Sequence, residues 1–223
     1  MRVSFRSEKA FTYFLISEID TDYHPALKHM FYHEQDGVFM KQFPSHAPYL
    51  NTCFRNFRQY LETVLLHMAD IKRVPWERAL EALLESLVNM DVDWWLGGSA
   101  ALAVRGVPII PHDIDVITNR SGAIQIRDRF HDYLFEPIVD VTNWICKIFG
   151  RLFLHAAIDV AGDVESTVDI PEPTDFGPYA ACRLERVTWC GYHIYVPPVD
   201  LQLRQNIRRG LTDRVQKIKQ ALL

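Results

Sequence analysis

Two stretches of the chain place apolar side chains at helical intervals. The first stretch carries Phe54, Phe57, Leu61, Val64, Leu65 and Met68. The second carries Trp76, Leu80, Leu83, Leu84, Leu87 and Val88. Spacings of three and four residues put each set on one face of a helix, so the pattern predicts two amphipathic helices separated near RVPW at 73–76. Pro44 and Pro48 break any helix around them. From the helical spacing that follows, we expect residues 1–74 to form a mainly helical N-terminal extension.

After residue 90 the pattern changes to short apolar runs. These runs are VDWWL at 92–96, DIDVIT at 113–118, ICKIFGRLFLHAAIDVAGD at 145–163 and LERVTWCGYHIYV at 184–196. They predict strands, and the last run predicts a hairpin that turns near Gly191. Helical patterns occur in AALAVRG, GAIQIRDRFHDYL, PVDLQLRQNIRRG and TDRVQKIKQALL. The order predicts an α/β (α+β) domain over residues 75–223, in which a short mixed β-sheet is flanked by helices.

The composition is that of an ordinary globular protein. Apolar residues make up 48% of the 223 residues and charged residues 23%, which is enough for a sizeable core. The formal net charge of −4 argues against a general nucleic-acid binder. The four cysteines are scattered and form no CxxC pair, which argues against structural zinc. No apolar run has the length of a signal peptide or a membrane span, so we expect a reduced, cytoplasmic protein without a membrane partner.

The DIDVIT strand brings two like charges together. Side chains alternate along a strand, so Asp113 and Asp115 are expected on one face while Ile114 and Val116 point into the core. Neighbouring carboxylates repel each other unless a positive charge lies close by. Carboxylate pairs of this kind bind hard divalent cations such as Mg²⁺. The strand is therefore a candidate metal site.

Two further features strengthen this candidate. Gly97, Gly98 and Ser99 lie between a predicted strand and a predicted helix that Ser99 could cap. Glycines allow the backbone to approach a ligand closely, and free N–H groups at a helix start favour phosphate. Asp159 lies inside an otherwise apolar strand, where an acid needs a partner. Of the cations near the C-terminus, Arg208 and Arg209 are the better candidates for binding phosphate, the alternative being a solvated helix face.

The order Gly-Gly-Ser, Asp-x-Asp and a single Asp in an apolar strand resembles the DNA polymerase beta-like nucleotidyltransferase superfamily, and in particular its small bacterial members. The resemblance covers about residues 88–223. It implies a nucleoside triphosphate bound on the glycine turn and two Mg²⁺ ions held by three carboxylates. By position, Asp113 and Asp115 would ligate both metals and Asp159 the catalytic one. The implied reaction moves a nucleoside monophosphate to an acceptor hydroxyl and releases pyrophosphate.

The sequence leaves several alternatives open. The acceptor could be a small molecule, a protein side chain or an RNA such as tRNA. The same fold could also serve as a catalytically inactive nucleotide- or RNA-binding module, or as a scaffold for protein interaction through the aromatic N-terminal segment. Residues 1–74 could form a lid, an acceptor platform or the interface of a homodimer. His24, His29 and His33 are better explained as surface or core residues than as a metal site.

Overall fold

The computed structural model describes residues 1–222, and its first 44 residues contain an antiparallel sheet. Its strands are β1 (Arg2–Ser7), β2 (Phe11–Ser17), β3 (His33–Gln35) and β4 (Val38–Pro44), in the order β1-β2-β4-β3. The expectation of a mainly helical extension is wrong for this segment. Strand β2 has the sequence FTYFLIS, and its side chains alternate between buried and less buried positions. Because apolar or aromatic side chains occupy both the buried and the less buried positions, the period of two was invisible in the sequence.

The helices predicted after this sheet are present. Helices α2 (Leu50–Met68) and α3 (Trp76–Leu87) match the two predicted patterns, whereas the short helix α1 (His24–His29) lies between β2 and β3 and was not predicted. Within α2, Asn56 donates two hydrogen bonds, of 2.7 and 2.9 Å, to the carbonyl oxygens of Asp132 and Leu134. The ring of Phe57 lies 5.1 Å from that of Phe14 in β2 and 5.0 Å from that of Phe135. Helix α2 therefore joins the N-terminal sheet to the next sheet along the chain.

The central sheet is mixed, as predicted. It consists of β5 (Trp94–Leu96), β6 (Asp113–Thr118), β7 (Leu134–Asp140), β8 (Cys146–Leu154) and β9 (Ala156–Val164), in the order β5-β6-β9-β8-β7. Strands β6 and β9 are parallel, and the other neighbours are antiparallel. The nearly continuous apolar sequence of these strands fits a sheet that is covered on both faces. The predicted α+β fold class is confirmed for this part of the chain.

The remaining elements surround the central sheet. They are α4 (Gly98–Ala103), α5 (Arg120–Arg129), α6 (Pro178–Ala181), β10 (Glu185–Trp189), β11 (Tyr192–Val196), α7 (Val199–Arg208) and α8 (Thr212–Leu222). Strands β10 and β11 form the predicted hairpin. One hydrophobic core runs from Phe14 in the N-terminal sheet to Ile158 in β9 and Ile194 in β11. No helix within residues 1–222 is long and apolar enough to cross a membrane.

Candidate active site

Three acidic residues meet where β6 runs beside β9. Asp113 and Asp115 are both half-buried on β6, alternating with the buried Ile114, as the strand period requires. In the parallel pairing, Asp115 lies directly opposite Asp159. Burial, together with the charges of Asp113 and Asp159, raises the pKa of Asp115 well above its ordinary value. The pKa of Asp113 is raised by burial and by Asp159. The arrangement therefore concentrates negative charge that favours protons or a cation.

A buried arginine already supplies one positive charge. Arg151 lies opposite Asp159 on β8, and only 1% of its side chain is exposed. Its Nε and Nη2 donate to the two carboxylate oxygens of Asp159 at 2.5 and 2.6 Å. Burial opposes the charge of Arg151, but Asp159 and Glu136 together raise the guanidinium pKa above its ordinary value. Asp159 is thus held in one orientation by a bidentate ion pair with Arg151.

This ion pair bears directly on the predicted two-metal site. Asp113 and Asp115 fit a divalent cation, because their raised pKa values reflect burial and the repulsion between neighbouring acids, and a bound cation offsets both. Asp159 does not fit equally well, since both of its oxygens accept hydrogen bonds from Arg151. Among residues 1–222, no group of three or more His, Cys, Asp or Glu side chains has the arrangement of a metal site. Asp159 can join a metal only by sharing an oxygen with Arg151.

The glycine turn lies against the same face of β6. The N–H of Gly97 donates to the carbonyl oxygen of Asp115 at 2.8 Å. Gly98 has a φ of +56°, and a Cβ at this position would overlap Oδ2 of Asp115. Only glycine adopts this positive φ without strain and also leaves room for the Asp115 carboxylate. Helix α4 begins at Gly98, and its N-cap is Gly97 without a side-chain hydrogen bond, so the expected capping role of Ser99 is wrong.

The turn and the acids line a cavity of about 540 Å³, called here the carboxylate cavity. Its lining includes Gly98, Ser99, Asp113, Asp115, Arg151, Asp159, Asp175, Arg209 and Arg214. Arg208 lies outside this lining, because its guanidinium donates to the Pro173 carbonyl at 2.9 Å and to Gln205 Oε1 at 2.5 Å. The structure therefore pairs Arg209 with Arg214, rather than with Arg208, at the cavity wall.

Asp175 is a fourth acid at this cavity that the sequence analysis did not single out. Burial raises its pKa to about 6, against the opposing influence of Arg209, Arg208 and Arg214. Burial, together with the charge of Arg209, lowers the pKa of Arg214, whereas Asp113 and Asp115 raise it. Asp175 comes after a proline-rich loop with no periodic pattern, and only the tertiary fold brings it to the site. Arg151 was not predicted either, because only the pairing of β8 with β9 brings it to Asp159.

The three histidines and Trp95 have different surroundings. His29 lines the carboxylate cavity, and His24 lies 3.9 Å from Glu34. In the part of the chain that is described, these histidines form no metal group. The indole nitrogen of Trp95 is buried and without a hydrogen-bond partner, which is consistent with packing in β5.

Known proteins match the part of the chain that carries this site. The sequence model of the aminoglycoside-2''-adenylyltransferase family matches residues 79–148, which contain the glycine turn and the Asp113–Asp115 pair. A solved structure of a Thermotoga maritima protein, assigned as a nucleotidyltransferase, is 24% identical with a TM-score of 0.50, covering 65% of this chain and 91% of that one. The lincosamide antibiotic adenylyltransferase LnuA, solved with lincomycin, is 13% identical with a TM-score of 0.46, covering 66% of this chain and 98% of its own. No curated protein sequence gives a significant match.

Two of these matches bear on the class of the protein. The Thermotoga maritima structure shares the fold, and the family match falls on the motif that lines the carboxylate cavity. The chain therefore has the fold of a nucleotidyltransferase structure, and the residues that carry its site match a nucleotidyltransferase family, which confirms the resemblance of the sequence and the expectation of an enzyme of this class. Within the superfamily, residues 79–148 are similar to the aminoglycoside-2''-adenylyltransferases in particular.

Proposed function

We propose that this protein transfers a nucleoside monophosphate from a nucleoside triphosphate to a hydroxyl group of an acceptor. The observation that carries the proposal is the meeting of Asp113, Asp115 and Asp159 beside a turn where Asp115 leaves room only for glycine. In this reaction the acceptor oxygen bonds to the α-phosphorus. The bond between the α-phosphorus and the oxygen that bridges it to the β-phosphorus breaks, and pyrophosphate leaves.

The donor side of the reaction is assigned to the glycine turn and two arginines. Gly98 and Ser99 line the cavity at the start of α4, and because Gly98 has no side chain its backbone lies close to the Asp115 carboxylate that would hold the cation. Arg209 and Arg214 line the same cavity and offer positive charge to the triphosphate. Of the two arginines predicted from sequence to bind phosphate, Arg209 keeps this assignment in the proposal. Arg208 has a structural role, because it binds the loop around Pro173.

Mg²⁺ is the cation that we propose for the acids. Asp113 and Asp115 would hold it, with one oxygen of Asp159 shared between metal and Arg151. When bound, Mg²⁺ neutralises the phosphates and favours ionisation of the attacking hydroxyl. Asp159 is the carboxylate proposed to accept the hydroxyl proton. Arg151 keeps the Asp159 carboxylate in one orientation through hydrogen bonds of 2.5 and 2.6 Å.

One observation favours a second candidate function. Both oxygens of Asp159 are engaged by Arg151, an arrangement that suits a site in which the third acid no longer takes part in chemistry. The alternative is a nucleotide-binding module that holds a triphosphate through Asp113, Asp115 and the arginines without transferring it. It differs from the first proposal in one respect: binding persists but labelled product does not form.

A transfer assay with α-phosphate-labelled nucleoside triphosphates tests both candidates. The protein is incubated with Mg²⁺ and with small-molecule, protein and tRNA acceptors, beside the variants Asp115→Asn and Asp213→Asn. Asp213 is an exposed acid on α8 and serves as the matched control. We expect a labelled acceptor and pyrophosphate, an at least roughly hundredfold loss in Asp115→Asn, and full activity in Asp213→Asn. Nucleotide binding without product supports the second candidate, and absence of Mg²⁺-dependent binding of any nucleotide rejects both.

A further inference from the structure

A second cavity, of about 510 Å³, lies between the N-terminal sheet and strands β7 and β8. This aromatic cavity is lined on one side by Tyr13 and Phe43 of β2 and β4, and on the other by Pro137 and Gly150. Its volume is in the range of cavities that bind small molecules. The N-terminal sheet therefore builds half of a pocket that the central sheet alone does not have.

Three aromatic residues connect the aromatic cavity to the carboxylate cavity. Phe31, Trp144 and Phe149 line both of them. The rings of Phe31 and Trp144 meet edge to face, with centroids 4.3 Å apart, and Phe149 lies 6.5 Å from Trp144. The two cavities therefore adjoin at these rings, on which the flat or apolar face of a ligand can pack.

The buried charged groups of the aromatic cavity are paired within the protein. Glu136, 1% exposed, accepts from Tyr32 at 3.1 Å, from Lys41 at 2.6 Å and from Arg151 at 3.5 Å. Lys41 also donates to the Met30 carbonyl at 3.0 Å. An ammonium group has three donors, so Lys41, which is 15% exposed, keeps one for a ligand. This remaining N–H can donate a hydrogen bond to an oxygen of a ligand.

The charges of the aromatic cavity select against a strongly charged ligand. Glu136 is neutralised by Lys41, and Asp140 accepts two hydrogen bonds, of 2.5 and 2.6 Å, from Arg120. A polycation would find no unpaired carboxylate at these positions. Because Glu136 neutralises Lys41, an anion would find one remaining hydrogen-bond donor and no uncompensated positive charge there. The lining instead suits a neutral molecule that combines an apolar ring face with hydroxyl oxygens.

We propose that the aromatic cavity is the acceptor subsite, and that it takes neutral, hydroxylated ring compounds rather than polycations. The inference rests on the proposed transfer reaction, because an acceptor in this cavity would present a hydroxyl to the three acids past Phe31, Trp144 and Phe149. Trp144 is a specificity-determining residue in this arrangement. It lies half-buried between β7 and β8, where it can be replaced without disturbing the core.

Ligand-observed NMR on the full chain tests the subsite. The probes are neutral aryl glycosides and the polycation kanamycin, each with the parent, Trp144→Ala and Tyr195→Ala. Tyr195 is an exposed aromatic of the distant β11 and serves as the control. We expect the glycosides to bind more tightly than kanamycin, and Trp144→Ala to weaken glycoside binding about tenfold. Tyr195→Ala should have no effect. Thr142→Trp, on the exposed rim, should weaken glycoside binding in a folded protein by occupying part of the cavity.

Tighter binding of kanamycin, glycoside binding that is unchanged in Trp144→Ala, or no binding of any glycoside overturns the inference. Calorimetry with MgATP on the same samples separates this failure from failure of the proposed function. If MgATP binds and transfer occurs while Trp144→Ala leaves the acceptor KM unchanged, the subsite is wrong and the reaction stands. If glycosides bind as expected but no nucleotide does, the reaction is wrong and the cavity remains a binding site.

Discussion

Single residues of the carboxylate cavity carry electrostatic strain that binding can relieve. Burial and the charges of Asp113 and Asp159 raise the pKa of Asp115, so the folded state holds a proton that the unfolded state releases near its ordinary pKa of 3.8. Stability is therefore lost as the pH rises from about 4 through the raised pKa. A side chain that does not titrate at this position avoids that loss.

The variant Asp115→Asn should accordingly be as stable as the parent or more stable at pH 7, and its advantage should vanish at pH 4. Urea denaturation at both pH values measures the free energy of unfolding. Mg²⁺ should raise the melting temperature of the parent and leave that of the variant nearly unchanged. A clear loss of stability in Asp115→Asn at pH 7 would show that Arg151 already compensates this acid.

Asp175 should produce its own pH dependence. Its folded pKa of about 6 exceeds the ordinary value of 3.8, so its protonated form stabilises the fold below pH 4 and this contribution disappears as the pH rises through 6. A shift of this size corresponds to about 3 kcal/mol. In Asp175→Asn, the fall in unfolding free energy between pH 4 and pH 7 should shrink by up to that amount. Identical pH profiles for the variant and the parent would contradict the assignment.

At the scale of elements, the turn between β5 and α4 is defined by its contact with Asp115. Gly98 and Gly210 both have positive φ, +56° and +68°, but a Cβ at Gly210 meets nothing within 4 Å. Gly210→Ala should cost about 1 kcal/mol from backbone strain alone. Gly98→Ala should cost about 1–3 kcal/mol more, because the Cβ displaces the Asp115 carboxylate. Urea denaturation of both variants measures the difference, and equal costs would contradict the close contact.

The helices and strands also show which features of this fold could be predicted from the sequence. The helices at Leu50–Met68 and Trp76–Leu87 were predictable because polar and apolar positions differ along them. Alternation placed Asp113 and Asp115 on one face for the same reason. Strand β2 lacks such contrast, and its period was hidden. The Arg151–Asp159 pair depends on the register of β8 against β9, which local sequence does not encode.

At the scale of the whole molecule, the N-terminal sheet and the central sheet share one core. Phe57 contacts Phe14 on one side and Phe135 on the other, and Asn56 binds the chain around Leu134. The domain boundary expected at residue 74 stays a prediction. The shared packing implies cooperative unfolding, because neither sheet can separate without exposing Phe57 and its neighbours.

Phe57→Ala should therefore destabilise the whole protein by about 3–5 kcal/mol, with one unfolding transition. All five tryptophans lie between residues 76 and 189, so their fluorescence reports on the central part, whereas far-UV circular dichroism also reports on the N-terminal sheet. Both signals should shift together in the variant. Phe5→Ala, at a ring that is 52% exposed, is the control and should have a much smaller effect. Separate transitions would indicate two independent units.

The hydrogen bond between Lys41 and Glu136 has a consequence for folding during synthesis. It joins residues 95 positions apart, and the bond from Tyr32 to Glu136 joins residues 104 positions apart. At translation rates of about 5–20 residues per second, residues 1–44 wait roughly 5–20 s for the strand that covers them. During that interval helix α2 can cover the aromatic sheet through Phe57 and Phe14, but the strands of the central sheet are still missing. The nascent chain is thus a natural client for chaperones that bind exposed aromatic segments, and faster synthesis should improve its yield of folded protein.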